Sequence, residues 1–501
     1  MIYEGGMRTM TETAKKKRGM PSSFTILLAL LAIVAVITVI VSGTSGGEVT
    51  AARLSDFCTA PILGFADALP VCLFVMILGG FLGMMTETGA LDNGIAVLVQ
   101  KLKGNEIMLV PVLMLIFSLG GTTYGMCEET VPFYALLAAT MMAAGFDPMV
   151  GAATVLLGAG CGCLGSTVNP FAVGAAVDAP TGVDIAVNQS IIIGLGGVLW
   201  LVTTVMSIVF VMNYAKKVKA DKGSTILSMQ ELEDAEAAHG KAASEVNKEV
   251  KLTGRQKGVL IAFAFTFVVM IVGFIPLADL NEGVANFFDA GAVYDADGNT
   301  VVQGWSALIT GLPIGQWYFD EASTWFFLMA ILIGIIGGLS EKQIVNTFIT
   351  GAADMMSVVL VIALARGISV LMANTGLDVY VLDAAANALA GLSGVIFAPM
   401  SFLVYFGLSF LIPSTSGMAT VSMPIMGPLA VKLGFSPEVM VMIFSAAIGV
   451  VNLFTPTSGA IMGGLALAKI EWTTWLKFAL KLIVALSVVC AVILTVACVM
   501  L

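Results

Sequence analysis

Two adjacent carboxylates, Glu128 and Glu129, stand in the polar string GGTTYGMCEETVPFY (residues 120–134), inside a region that is otherwise almost all hydrocarbon. An ionisable group at membrane depth costs several kcal/mol unless it is paired or wetted, so such groups mark the path of an ion, a proton or a charged cargo. A carboxylate about 6 Å from a bound anion, at an effective dielectric near 20, costs roughly 2.8 kcal/mol. Ionised glutamates therefore favour a guanidinium or ammonium group and disfavour a dianion unless protons or Na+ intervene. They could also be first-turn acids that complement a helix dipole close to Pro132. The equivalent positions of a second, related string, Thr420 and Val421, carry no acid, which argues against a purely structural need. Neighbours on a helix point about 100° apart, so one glutamate is expected to face a cavity while the other packs or caps.

Arg366 is the one arginine inside an expected spanning helix, and its equivalent in the first half is Gly79. The glutamates or a cargo carboxylate could answer its charge; structural pairing or snorkelling is the alternative. Around these charges the chain has four short polar breaks, at Thr122–Gly125, Ser166–Pro170, Pro413–Gly417 and Thr455–Gly459. Irregular backbone at membrane depth is tolerated only where protein or a water-filled cavity satisfies it. Broken helices offer N–H donors to carboxylates at one end and carbonyls to cations at the other. The substrate- or ion-binding set expected from these patterns is Thr122, Thr123, Glu128, Glu129, Ser166, Thr167, Asn169, Arg366, Ser414, Thr415, Ser416, Thr455, Thr457 and Ser458. Asp67 and Asp354, each at an expected helix start, read as caps.

Nothing else in the chain suggests catalysis. The lone histidine, His239, lies in a charged loop and reads as solvated, and no hydrolase or nucleotide motif occurs. The seven cysteines show no CxxC spacing and read as small packing residues. No enzyme, metal, cofactor or nucleic-acid partner is expected; whether H+ or Na+ serves as a coupling ion stays open.

The elements that must position these residues are membrane helices. With 58% hydrophobic and 11% charged residues, the 501-residue chain carries about half the charge of a soluble domain. Apolar runs of spanning length fall near 24–42, 66–86, 188–212, 256–278, 322–340, 352–373 and 473–499. The first follows the basic run KKKR at 15–18 and reads as an uncleaved helix. The connection 213–257 and the turn with Lys101 and Lys103 are basic, whereas 279–321 holds acids and no Lys or Arg. The positive-inside rule puts the first two in the cytoplasm and the third outside.

Threading the chain gives roughly nine crossings, with the N-terminus inside and the C-terminus outside. A cytoplasmic tail (1–23) leads into a first membrane repeat (24–212) with a re-entrant hairpin near 107–145 and a broken helix near 148–177. A cytoplasmic linker (213–255), expected to form a solvated helix, leads to an extra helix and a second repeat (256–501). That repeat has its hairpin near 395–433 and its broken helix near 437–468. The duplication itself shows in ordered matches: Ala66-Asp67 with Ala353-Asp354 and Thr88-Gly89 with Thr375-Gly376 (offset 287), and Gly145-Phe146-x-Pro148 with Gly434-Phe435-x-Pro437 (offset 289). Repeated, interrupted hydrophobic segments are the mark of secondary transporters.

The strings GGTTYGMCEETVPFYAL, GCLGSTVNPFAVG, LIPSTSGMATVSMPIM and NLFTPTSGAIMGGLALAKI resemble the YfcC-like branch of the anaerobic C4-dicarboxylate carrier (DcuC) family, within the ion transporter superfamily. The resemblance covers nearly the whole chain outside residues 1–20 and 213–255. It implies an all-α polytopic fold with an inverted repeat. Two hairpins and two interrupted helices would slide, elevator-like, against a scaffold that often forms homodimers. It also implies that the Ser-x-x-Asn stretch at 166–169 and the Thr-x-Thr-Ser stretch at 455–458 clamp ion and carboxylate. The expected function is a multi-pass carrier of the inner membrane that exchanges basic amino acids of the arginine/ornithine type. The alternative is a proton- or sodium-coupled symporter of C4-dicarboxylates or short-chain fatty acids.

Overall fold

The structure, a computed structural model, describes residues 23–101, 105–177, 179, 185, 187–246, 251–280, 282–295, 300–412 and 414–501. The KKKR run, Lys103, part of the linker's end and Pro413 lie outside them. In chain order the helices begin with α1 (Ser23–Ser42), α2 (Leu54–Asp67), α3 (Leu69–Glu87) and α4 (Ala90–Lys101). A hairpin follows, α5 (Leu109–Tyr124) and α6 (Val131–Ala143), then the interrupted pair α7 (Pro148–Leu164) and α8 (Ala175–Val177). After α9 (Gln189–Ala220) come the linker helix α10 (Met229–Val246), α11 (Gly254–Phe274), and two short helices, α12 (Leu277–Leu280) and α13 (Glu282–Phe288).

The second half runs through α14 (Phe319–Gly337), α15 (Glu341–Asp354), α16 (Met356–Thr375) and α17 (Leu377–Leu389). It ends in a second hairpin, α18 (Gly394–Leu411) and α19 (Thr415–Lys432), a second interrupted pair, α20 (Pro437–Val451) and α21 (Gly459–Leu467), and α22 (Trp472–Met500). The acidic loop adds a departure from an all-α chain: strands β1 (Val293–Tyr294) and β2 (Thr300–Val302) pair antiparallel. Eight helices among the described residues are long and apolar enough to cross a bilayer, and α7, α18 and α20 are shorter apolar helices.

The duplicated Gly-Phe-x-Pro is a helix stop and start. Gly145 and Gly434 sit at φ 85° and 81°, the left-handed geometry that ends a helix without a Cβ penalty. Phe146 and Phe435 then donate their N–H back to Met141 and Ala430 carbonyls at 2.8 and 2.9 Å. Asp147 and Ser436 follow as N-caps of α7 and α20, with proline at the first helical position of each. One four-residue phrase thus turns the chain between hairpin and broken helix in both copies.

Two bodies result. The frame pairs α2 with α16 and α3 with α15, and adds α1, α11 and α14. Small residues let these helices touch: a Cβ on Gly79 would clash with the Gly351 carbonyl oxygen, and one on Gly64 with the Gly367 backbone. The core packs both hairpins around α7 and α20, with α9 and α22 outside. Here a Cβ on Gly121 would strike the Ala159 carbonyl, and one on Gly162 the Ser118 carbonyl, so α5 and α7 meet backbone to backbone.

The structure departs from the sequence reading at three places outside the cavity. The linker helix α10 is not simply solvated: it packs on α6 of the core and on α4, which itself touches α3 and α11 of the frame. His239 is buried, its Nε2 3.0 Å from the Leu467 carbonyl oxygen, and the backbone N–H of Glu471 donates to Glu231 Oε1 at 2.9 Å. Asp67 and Asp354 do not cap helix starts; each is the last residue of a helix, α2 and α15.

Two outcomes follow from this packing. Gly121→Ala or Gly162→Ala should cost about 1–3 kcal/mol by overpacking, read as a lower thermal midpoint of the detergent-solubilised protein. Burial, with Lys469 nearby, lowers the His239 pKa against the opposing Leu467 carbonyl. A folded-state value below the unfolded one makes the stabilisation complete above about pH 6.5 and lost as pH falls through the folded value. The hydrogen-exchange protection factors of α10, referred to the intrinsic rate at each pH, should fall on acidification, and His239→Gln should remove that fall.

Candidate functional site

The four interruptions converge on one cavity of about 160 Å3 between core and frame. That is small against the roughly 300 Å3 or more of a site for a drug-sized ligand, and suits a small metabolite. Its walls come from the hairpin-1 tip, the breaks after α7 and α20, the hairpin-2 tip, and frame residues that include Arg366 and Phe319.

The tip of hairpin 1 is shaped by Gly125 at φ 78°, where a Cβ would collide with the Asn169 side chain. A short 3-10 turn, Glu128–Thr130, then starts α6. Glu129 is buried and its Oε2 accepts the backbone N–H of Cys127 at 3.0 Å. Glu128 is half-buried and lines the cavity. The pair thus divides into a carboxylate that holds the tip and one turned to the space beside it.

The break after α7 is a closed hydrogen-bonded unit. Asn169 Oδ1 accepts from the N–H groups of Phe171 and Ala172 at 2.9 and 3.3 Å, and its Nδ2 donates to Ser166 Oγ at 2.9 Å. A π-helical turn, Pro170–Gly174, follows, a feature frequent at functional sites. Thr122 Oγ1 donates to the Gly165 carbonyl at 2.7 Å, and Thr167 donates through N and Oγ1 to the Thr122 carbonyl at 2.9 and 3.0 Å. These three bonds tie hairpin to break. α9, which starts at Gln189, passes this level so closely that a Cβ on Gly196 would meet the Ser166 carbonyl.

The break after α20 is satisfied differently. The indole N–H groups of Trp475 and Trp472 donate to the Leu453 and Phe454 carbonyls at 2.9 and 2.7 Å. Thr455 and Thr457 hydroxyls bond each other at 2.7 Å. Ser458 precedes α21, makes no side-chain cap bond, and lines the cavity. At hairpin 2, Ser414 caps α19 through Gly417 N at 3.1 Å. Arg366 does not pair with a glutamate: its Nε lies 2.8 Å from Asp67 Oδ2, both residues belonging to the frame.

Of the residues expected from sequence, Glu128, Glu129, Asn169, Arg366, Ser414, Thr415, Ser416, Thr457 and Ser458 line the cavity. Thr122, Thr167 and Ser166 stand behind it and donate to backbone carbonyls, Thr455 bonds the Thr457 hydroxyl, and Thr123 donates to the Leu119 and Gly120 carbonyls of its own helix at 2.6 and 3.4 Å. Sequence reasoning missed Asn452, Ser445, Cys127 and Phe171 in the lining, and the two tryptophans behind it. Asn452, at the end of α20, could have been found as the asparagine of the second copy, placed ahead of the Thr-x-Thr-Ser stretch instead of after it. Asp67 left a signal too, as an acid kept in both copies.

Comparison with known proteins gives this site a family. The sequence profile of the C4-dicarboxylate anaerobic carrier family matches residues 47–499. An uncharacterized protein of Haemophilus influenzae is 29% identical over 443 residues, 88% of this chain and 78% of its own length. The Escherichia coli K12 protein named "Putative basic amino acid antiporter YfcC" is 27% identical over 440 residues, 86% of this chain and 77% of its own. Among solved structures, MtrF of Neisseria gonorrhoeae, from a class of antimetabolite efflux pumps, superposes with a TM-score of 0.46 at 17% identity, covering 97% of this chain and 96% of that one. The YdaH transporter of Alcanivorax borkumensis gives 0.46 at 15%, covering 94% and 97%.

The divided roles are measurable. Asn169→Ala removes three hydrogen bonds at a buried break and should cost about 2 kcal/mol or more in thermal stability, whereas Thr123→Ala should stay within about 0.5 kcal/mol.

Proposed function

The chain belongs to the C4-dicarboxylate anaerobic carrier family and is a membrane transporter, and from that premise we propose that it exchanges basic amino acids across the cell inner membrane. The observation that carries the cargo assignment is the charge layout of the cavity. Glu128 and Glu129 stand at one tip, while the N-terminal ends of α19 and α21 open at the other interruptions. A guanidinium or ammonium side chain fits beside Glu128. The α-carboxylate fits the first-turn N–H groups of Thr415 and Ser416 and the hydroxyls of Thr415, Ser416 and Ser458. The name of the Escherichia coli relative agrees with this reading.

The placement of the cavity between two bodies supports an elevator-type movement, with the core carrying hairpins and breaks past the frame. Hairpin 1 would then gate the linker side, taken as cytoplasmic, and hairpin 2 the opposite side. Arg366 supports a second reading, exchange or ion-coupled uptake of a dicarboxylate, in which the glutamates bind coupling protons.

Counterflow of labelled arginine in proteoliposomes, against lysine, ornithine, fumarate and butyrate, with and without imposed ion gradients, separates the two. Cationic amino acids should drive exchange, and failure of all of them would sink the proposal. Glu128→Gln should weaken arginine exchange at least about tenfold, the loss of one charge-assisted contact. Glu129→Gln, which keeps an acceptor for Cys127, should be milder. Normal exchange by the double variant would remove both glutamates from the mechanism.

A further inference from the structure

Among the described residues, the frame brings one ion pair to the cavity. Arg366 lines the cavity from α16, and its Nε is held 2.8 Å from Asp67 Oδ2, at the end of α2. Its Nη1 lies toward hairpin 2, 3.7 Å from where a Cβ on Gly417 would stand, so the guanidinium sits at ordinary contact distance from the first turn of α19. A cation beside the positive end of an 18-residue helix is repulsive by itself. The arrangement becomes favourable when an anion lies between them.

The wall around that gap fits an anion. Ser414 Oγ already takes the Gly417 N–H, but the N–H groups of Thr415 and Ser416 are first-turn donors with no helical acceptor by position. Ser458, more than nine-tenths buried, opens α21 on the same cavity with a hydroxyl that makes no cap bond. The fork of arginine matches a carboxylate in two-point contact, and Asp67 at Nε fixes the plane of that fork.

We infer that Arg366, oriented by Asp67, is the residue that makes a carboxylate obligatory in the cargo, closing from the frame a carboxylate seat whose other side is the start of α19. This deepens the exchange reading above and rests on it for the identity of the cation. Arg366 contacts cargo, and Asp67 is a positioning residue.

The test compares arginine with agmatine, which keeps the guanidinium and lacks the carboxylate. In proteoliposomes of the full chain, labelled arginine should exchange for arginine at least about tenfold better than for agmatine. Arg366→Gln should weaken arginine at least about tenfold, leave agmatine unchanged, and so abolish the discrimination. Asp67→Asn should raise the half-saturation for arginine with little change in maximal rate. Equal exchange of agmatine and arginine by the unaltered protein overturns the inference while leaving the cationic cargo intact. So does an Arg366→Gln variant that loses both ligands alike. Were fumarate the exchanged cargo instead, the cationic reading falls, and Arg366→Gln must then abolish fumarate counterflow; unaffected fumarate exchange overturns the carboxylate seat.

Discussion

A helix that stops inside a bilayer frees N–H and C=O groups that no lipid can satisfy, and the rest of this fold is organised around that debt. Each interruption finds its partners within the protein. The carbonyl of Gly165 takes the Thr122 hydroxyl, that of Cys163 takes the Ser166 hydroxyl, and those of Leu453 and Phe454 take two indoles. The groups left over, chiefly first-turn N–H donors and a few hydroxyls, face the shared cavity. The cavity surface is therefore what remains after structural requirements are met, which is why supports such as Thr455 and lining residues such as Ser458 share the same short string.

That sharing explains how far the sequence could be read. The breaks were legible because Gly, Pro, Ser and Thr cannot be common inside a spanning helix without reason, and because the repeat placed each one twice. The division of labour at each break was not. Thr122 and Ser414 are both small hydroxyl residues at interruptions, yet one is spent on a neighbouring backbone and the other caps a helix at the cavity. Only three-dimensional neighbours decide that. Trp472 and Trp475 were invisible for a related reason: at the start of an apolar run an indole reads as bulk, and its single N–H gives no hint of a distant carbonyl. His239 and the linker helix failed oppositely, since a mixed-charge segment matches solvent until a docking face appears.

The charges sort by body. Glu128 and Glu129 belong to hairpin 1 of the core, and Arg366 with Asp67 belongs to the frame. Core and frame also touch through the linker helix, which lies on α6 and α4 and holds the junction after α21 by two hydrogen bonds. Lys469, in that junction, has φ 60°, a conformation seldom seen outside glycine and asparagine, so the connection there is fixed by its surroundings more than by its own preference.

The duplicated architecture is almost two-fold, but Gly79 forbids it from being fully so. Its α-carbon is pressed against the Gly351 backbone, and no side chain fits there. The position equivalent to Arg366 is thus permanently empty in the first copy, and the guanidinium has no twin. The two halves therefore bring different charges to the cavity, and packing between two glycines is what keeps a guanidinium out of the first copy.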